Sequence, residues 1–155
     1  MIFNGRYSQP TPNNPLAPFV EAGIRATDGK WVSVFFLIDL GADGTYLPSK
    51  YIEELDIQID QVKTEDDVAG VGGQRIKHVS FTTQLRFINK VKDEKIFDVE
   101  IGVFTQEEAL DLPVLGRDVM NFFTLLCDAR ANLVWLMDEA DRTKLLQFCD
   151  TIETR

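Results

Sequence analysis

The sequence predicts a mainly β fold, a mostly antiparallel, barrel-like arrangement of six to eight short strands with one to three short helices. Three observations support this. Apolar residues recur at every second position through several segments, turn signals separate those segments, and no strand is followed by the amphipathic helix that a parallel βαβ repeat needs. At 155 residues the chain is the size of one domain and can bury a substantial core.

Taken in order, residues 1–18 hold Pro10, Pro12, Pro15 and Pro18 around Asn13 and Asn14. Proline lacks the N–H that helices and inner strands require, so the sequence predicts an extended arm over 1–18 that supplies neither. It reads either as a loose terminus or as a segment that crosses to a second subunit or is cleaved. From Phe19 the pattern is β: Val20, Ala22, Ile24 and Ala26 alternate with Glu21, Gly23 and Arg25. Asp28-Gly29 is a hairpin turn, and Trp31 to Ile38 is so continuously apolar that it reads as a strand covered on both faces.

Pro48-Ser49 can open a short helix with Tyr51, Ile52 and Leu55 inward. Residues 58–68 are polar and acidic and read as a solvated face or loop. Gly70, Gly72 and Gly73 suit a hairpin tip that bends and lies close over another backbone, or a plain surface turn. Val79, Phe81, Thr83, Leu85 and Phe87 share one strand face; after a polar turn at 89–94, Phe97, Val99, Ile101 and Val103 share another. Leu112 to Leu115 reads as a short buried strand, Arg117 to Phe123 as a brief helix, and 124–127 with 133–137 as a hairpin. In the tail, Asp138 can cap a helix whose apolar residues Leu145, Leu146, Phe148, Cys149 and Ile152 need burial against the core or a partner. The chain thus divides into an arm (1–18), a central domain (19–137) and a helical tail (138–155).

A net charge of −9 disfavours nucleic acid and anionic membrane surfaces as partners, since both attract basic patches. Cys127, Cys149 and the lone His78 form no metal spacing, so no metal or other cofactor is expected, and the cysteines read as thiols of a reducing compartment. Without an apolar run of membrane-spanning length or a signal-like start, the expected location is cytoplasmic.

The chemistry concentrates in Phe35-Phe36-Leu37-Ile38-Asp39-Leu40-Gly41-Ala42-Asp43-Gly44-Thr45. An apolar strand ends in a carboxylate that must be hydrogen-bonded, paired or protonated if buried, which makes Asp39 a candidate for acid–base work. A structural Asp-x-Gly turn is the plain alternative. Calcium is another, because Asp39 and Asp43 are oxygen donors, although the alternating ligands and closing Glu of an EF-hand are missing.

This stretch resembles the active-site loop of retroviral-type aspartic proteases (retropepsins), with the pattern apolar-apolar-Asp-Thr/Ser-Gly-Ala-Asp-x-Thr. Ala69 to Gln74 resembles their glycine-rich flap tip, and Leu112-Pro113-Val114-Leu115-Gly116-Arg117-Asp118 their second signature of an apolar pair before Gly-Arg. The three segments follow in the family's order over roughly residues 19–136. The resemblance implies a closed, orthogonal β-barrel and a homodimeric aspartic endopeptidase. One Asp39 per subunit would complete a dyad that activates water, because the chain has a single such loop. It further implies substrate contacts from Gly41, Asp43, Gly70, Val71, Gly72, Gly73, Leu112 and Val114, with Leu40, Ala42, Thr45, Gly116 and Arg117 supporting the site and Arg117 pairing with Asp43. Leu40 stands where the family has Thr or Ser, whose hydroxyl bonds across the dyad. A catalytically inactive peptide-binding or dimerisation module is the alternative expectation.

Overall fold

The computed structural model describes residues 1–59, 63–69, 75–106 and 112–153. Ten strands run in the order β1 (Ile2–Ser8), β2 (Ala17–Arg25), β3 (Trp31–Ile38), β4 (Tyr46–Leu47), β5 (Lys63–Ala69), β6 (Arg75–Ile88), β7 (Glu94–Phe104), β8 (Val114–Leu115), β9 (Thr124–Asp128) and β10 (Leu133–Met137). Helices α1 (Tyr51–Glu54), α2 (Arg117–Met120) and α3 (Glu139–Glu153) complete the described elements. The strands join in one sheet, β5-β6-β7-β4-β8-β3-β2-β1-β10-β9, and β6 also pairs with β2, so the sheet folds back on itself.

Most pairings are antiparallel, including β2 with β3 from Phe19↔Leu37 to Arg25↔Trp31 and β6 with β7 from His78↔Phe104 to Ile88↔Glu94. The sheet is nevertheless mixed. β8 runs parallel to β3 (Leu37↔Val114, Ile38↔Leu115) and antiparallel to β4 (Tyr46↔Val114), while β4 runs parallel to β7. Each partner strand in these parallel pairs is only two residues long, too brief to leave a signature in the apolar alternation.

The alternating residues of the sequence fill the core. Val20, Ala22, Ile24, Phe36, Leu47, Val79, Phe81, Leu85, Phe87, Ile101, Val103 and Leu115 are all buried. Asp28-Gly29 forms the expected turn, with Gly29 at φ 85°, where a Cβ would be strained. Strand β3 is not covered equally on its two faces: Val34, Phe36 and Ile38 are buried, whereas Phe35 and Leu37 are half-buried and Ser33 is exposed. Phe19 stacks on Phe35 at 4.8 Å and Arg6 lies over the same ring at 4.7 Å, which shields the second face in part.

Three expectations need correction. Residues 1–18 are not all an arm outside the sheet, because Ile2–Ser8 is an inner strand between β2 and β10. The prolines that argued against a strand begin at Pro10, so the first strand keeps its backbone donors, and Phe3 enters the core against Phe87 (5.7 Å) and Phe123 (5.8 Å). Within the acidic stretch, Lys63–Ala69 is strand β5 along β6, with a register shift between Glu65 and Val68. The tail helix α3 has its cap, since Asp141 N donates to Asp138 Oδ1 at 3.2 Å, but within this chain its described apolar side chains are not packed into the core beyond a half-buried Leu145. Leu146 and Phe148 are 47% and 62% exposed, because the core the helix was expected to cover is already closed by Phe3, Val134 and Leu136 of β1 and β10.

Phe3→Ala separates a core strand from an arm. We expect it to lower unfolding free energy by about 3–5 kcal/mol in urea denaturation, the usual cost of emptying a buried aromatic site. A neutral effect would mean that β1 is dispensable.

Candidate active site

The topology around β8 shapes the candidate site. Strand β3 enters on one side of β8 and β4 leaves on the other, so loop 39–45 must cross the end of β8 at the start of α2. The backbone fastens this crossing: Leu37 N donates to Pro113 O (2.8 Å), Asp39 N to Leu115 O (3.1 Å), Arg117 N to Ala42 O (2.9 Å) and Asp118 N to Asp43 O (3.2 Å). The two chain segments approach so closely that a Cβ at Gly116 would lie 2.1 Å from Gly44 O. Glycine is required there for space, its φ of −91° being open to any residue.

Beneath the loop, Thr45 is 1% exposed. Its hydroxyl donates to Asp118 Oδ1 (2.8 Å) and accepts from Gly116 N (3.2 Å), while Thr45 N donates to Asp118 Oδ2 (3.0 Å). Asp118 Oδ1 also accepts Val119 N at 2.9 Å. A buried hydroxyl without partners would be costly; the Thr45 hydroxyl has two. Asp43 and Arg117 form an ion pair above this hub, at side chains 88% and 50% exposed. Solvent screens such a pair, so it orients the loop more than it stabilises the fold.

Asp39 projects from the buried end of β3 and is half-buried. Its Oδ1 accepts the N–H of Gly41 at 2.8 Å, and a Cβ on Gly41 would come within 3.0 Å of the same oxygen. Glycine at 41 therefore leaves the carboxylate room to hold this orientation. Leu40, by contrast, is 54% exposed directly beside the acid.

The structure thus brings Asp39, Leu40, Gly41, Ala42, Asp43 and Thr45 together with Gly116 and Arg117. Val114 is buried in β8, next to Leu37, and Leu112 is half-buried. Gly70, Val71, Gly72 and Gly73 lie outside the described residues. No periodicity in the sequence marks Asp118 as the partner of Thr45; its position directly after Gly116-Arg117 is the signal the sequence carries. A cleft of about 340 Å³ adjoins the loop, lined by Gly44, Thr45, Tyr46, His78, Ser80, Glu100 and Gly102. A larger cavity of about 850 Å³ lies beside α1, lined by Pro48 to Lys50, Ile52 to Glu54, Asp56 to Gln58 and Thr105, and includes no residue of loop 39–45.

No group of three or more His, Cys, Asp or Glu side chains suited to a metal ion occurs among the described residues. Partial desolvation pushes the Cys127 thiol up, away from the thiolate that a nucleophile needs. No helix among the described residues is long and apolar enough to cross a membrane.

Comparison with solved structures defines the class of fold. A retropepsin-like aspartic protease from Rickettsia conorii superposes with a TM-score of 0.57 at 17% identity, covering 88% of each chain. EIAV protease in complex with the inhibitor HBY-793 aligns with a TM-score of 0.47 at 21% identity, over 72% of this chain and 91% of its own. The retroviral protease-like domain of Ddi1 from Leishmania major aligns with a TM-score of 0.47 at 17% identity, over 81% and 97%. In sequence, neither a family model nor a curated protein matches the chain. The fold is retropepsin-like.

The hub and the surface ion pair should behave differently when cut. Thr45→Val leaves Gly116 N and Asp118 Oδ1 each short of a partner, and we expect a loss of about 1–3 kcal/mol. Arg117→Gln should cost no more than about 1 kcal/mol, as for exposed ion pairs. Thermal unfolding of both variants checks the order; equal losses would show that the ion pair carries more than its exposure allows.

Proposed function

We propose that the protein is an aspartic endopeptidase that works as a homodimer, with one Asp39 from each subunit forming the dyad. The observation that carries this reading is a half-buried carboxylate, oriented by Gly41 N–H, on a loop fastened across β8 in a retropepsin-like fold. Peptide hydrolysis by this route needs two carboxylates sharing one proton: one draws a proton from water, and the other gives a proton to the carbonyl oxygen. The other two carboxylates at this crossing are engaged, Asp43 by Arg117 and Asp118 by Thr45. A second Asp39 related by a two-fold axis supplies the missing group.

On this reading Gly41 and Asp43 meet the substrate backbone, and Leu112 and Val114 border an apolar side chain of the substrate. Gly70, Val71, Gly72 and Gly73 form a flap that closes over it and excludes water. Ala42, Thr45, Gly116 and Arg117 hold the loop. No metal is needed, and the substrate is a peptide or protein.

Asp39→Asn keeps the shape of the acid and removes its charge, so it should abolish cleavage of a peptide substrate while leaving the unfolding midpoint nearly unchanged. Wild-type specific activity should rise with protein concentration until dimers saturate, with a pH profile set by the pair of carboxylates together. Full activity from a strict monomer would sink the dimeric dyad.

Leu40 favours a second reading, a catalytically inactive peptide-binding or dimerisation module, because leucine cannot make a hydroxyl bond across the dyad. Its exposure also supports an apolar contact with Leu40 of a second copy, worth roughly 1.5–3 kcal/mol per buried side chain. Leu40→Thr should therefore weaken the dimer in sedimentation and lower turnover with it. A tighter dimer with faster cleavage would identify Leu40 as a defect in an otherwise working site, and a dimer with no cleavage in either form would favour the inactive module.

A further inference from the structure

A second polar groove lies at the opposite end of β3 from Asp39. Trp31 and Asp39 are eight residues apart in sequence, roughly 25 Å along an extended strand. The groove, about 380 Å³, is bordered by Asn4, Trp31, Ser33, Arg86, Ile88 and Lys92, among others. Its floor is built on a glycine. Gly23 pairs with Ser33 on one side and Arg86 on the other, and a Cβ there would sit 3.3 Å from the Trp31 indole and 3.7 Å from Arg86 Nε. With that side chain absent, the Arg86 guanidinium stacks on Trp31 at 4.2 Å from the ring centroid.

The stack, with a long ion pair to Glu94, holds the guanidinium in place but leaves its buried Nε–H without a hydrogen-bond acceptor among the described residues. Glu94 Oε2 stands 3.7 Å from Nη1, beyond hydrogen-bond length. Arg25 reaches the same indole at 6.0 Å. Lys92 borders the groove from the turn after β6, where it takes φ 70°, a conformation that lysine rarely adopts. Glu21, also on the rim, is engaged by the Ser33 hydroxyl. Among the lining residues two cations, Arg86 and Lys92, thus stand against one carboxylate, Glu21, in a chain whose net charge is −9.

We propose that this groove is a second binding site that takes a carboxylate side chain of an acidic peptide segment. A planar carboxylate matches the fork of a pre-oriented guanidinium, with Lys92 adding a point charge. Trp31 and Ile88, the latter 46% exposed, offer apolar surface to the methylene stem of a glutamate, and Asn4 offers an amide to the peptide backbone. The site does not depend on the peptidase reading, because it contains no residue of loop 39–45.

The test is an NMR titration of the full chain with a short, capped, glutamate-rich peptide. The indole N–H of Trp31 and the amide of Gly23 should shift and saturate, while a glutamine-for-glutamate peptide leaves them unmoved. Arg86→Gln should weaken binding roughly ten-fold or more, and Arg86→Lys should also weaken it, since lysine keeps the charge and loses the fork. Should Arg86 variants fold poorly, the exposed Lys92→Glu tests the same charge and should weaken binding too. Equal binding of the glutamine peptide, or no effect of either position, would overturn the site. So would inorganic phosphate shifting the same signals with equal affinity, which would reassign the groove to small oxyanions.

Discussion

The hydrogen bonds that converge on Thr45 hold two remote parts of the chain in register. Residues 39–45 and 114–118 lie far apart in sequence, Thr45 and Asp118 being 73 residues apart, yet Thr45, Asp118 and Gly116 join them through three bonds of 2.8–3.2 Å. Burial of Thr45 and Gly116 makes these bonds consequential, because their donors, left without the bond, would be stranded away from water. The close passage of Gly44 over Gly116 allows the geometry, and the short strands β4 and β8 follow from it. Rigidity at this crossing is what gives Asp39 a defined direction, since its backbone N–H is tied to Leu115 on the same short strand.

A second constraint comes from closure of the core. Strand β1 brings Phe3 into an aromatic cluster with Phe87 and Phe123, whose rings lie 5.2–5.8 Å apart. Its pairing with β10 and β2 joins the C-terminal hairpin to the rest of the sheet. The first strand is thus part of the fold's framework, and α3 is left on the outside with Phe148 exposed.

The two ends of β3 differ in chemical character. At Ile38 the strand delivers a carboxylate beside an exposed leucine, with the neighbouring acids already engaged. At Trp31 it delivers an indole that supports a guanidinium over a bare stretch of β2. The carboxylate of Asp39 and the guanidinium of Arg86, carried by β6 against Trp31, are therefore held apart at opposite ends of β3.

By itself the sequence determined the β class, the strands with strict alternation and the Asp39 loop. Alternation reports directly which face of a strand is buried, and Asp-x-Gly chemistry is local. It did not reveal β1, whose prolines lie just past its end, or β5, whose acidic residues hide a strand on the sheet's edge. Nor did it reveal that Asp118 is the partner of Thr45, that the sheet is mixed, or that Trp31, Gly23 and Arg86 meet. Each of these rests on contacts between residues far apart in the chain. Local propensity and periodicity carry no record of such contacts; only the folded arrangement, which sets which buried polar groups can meet, decides them.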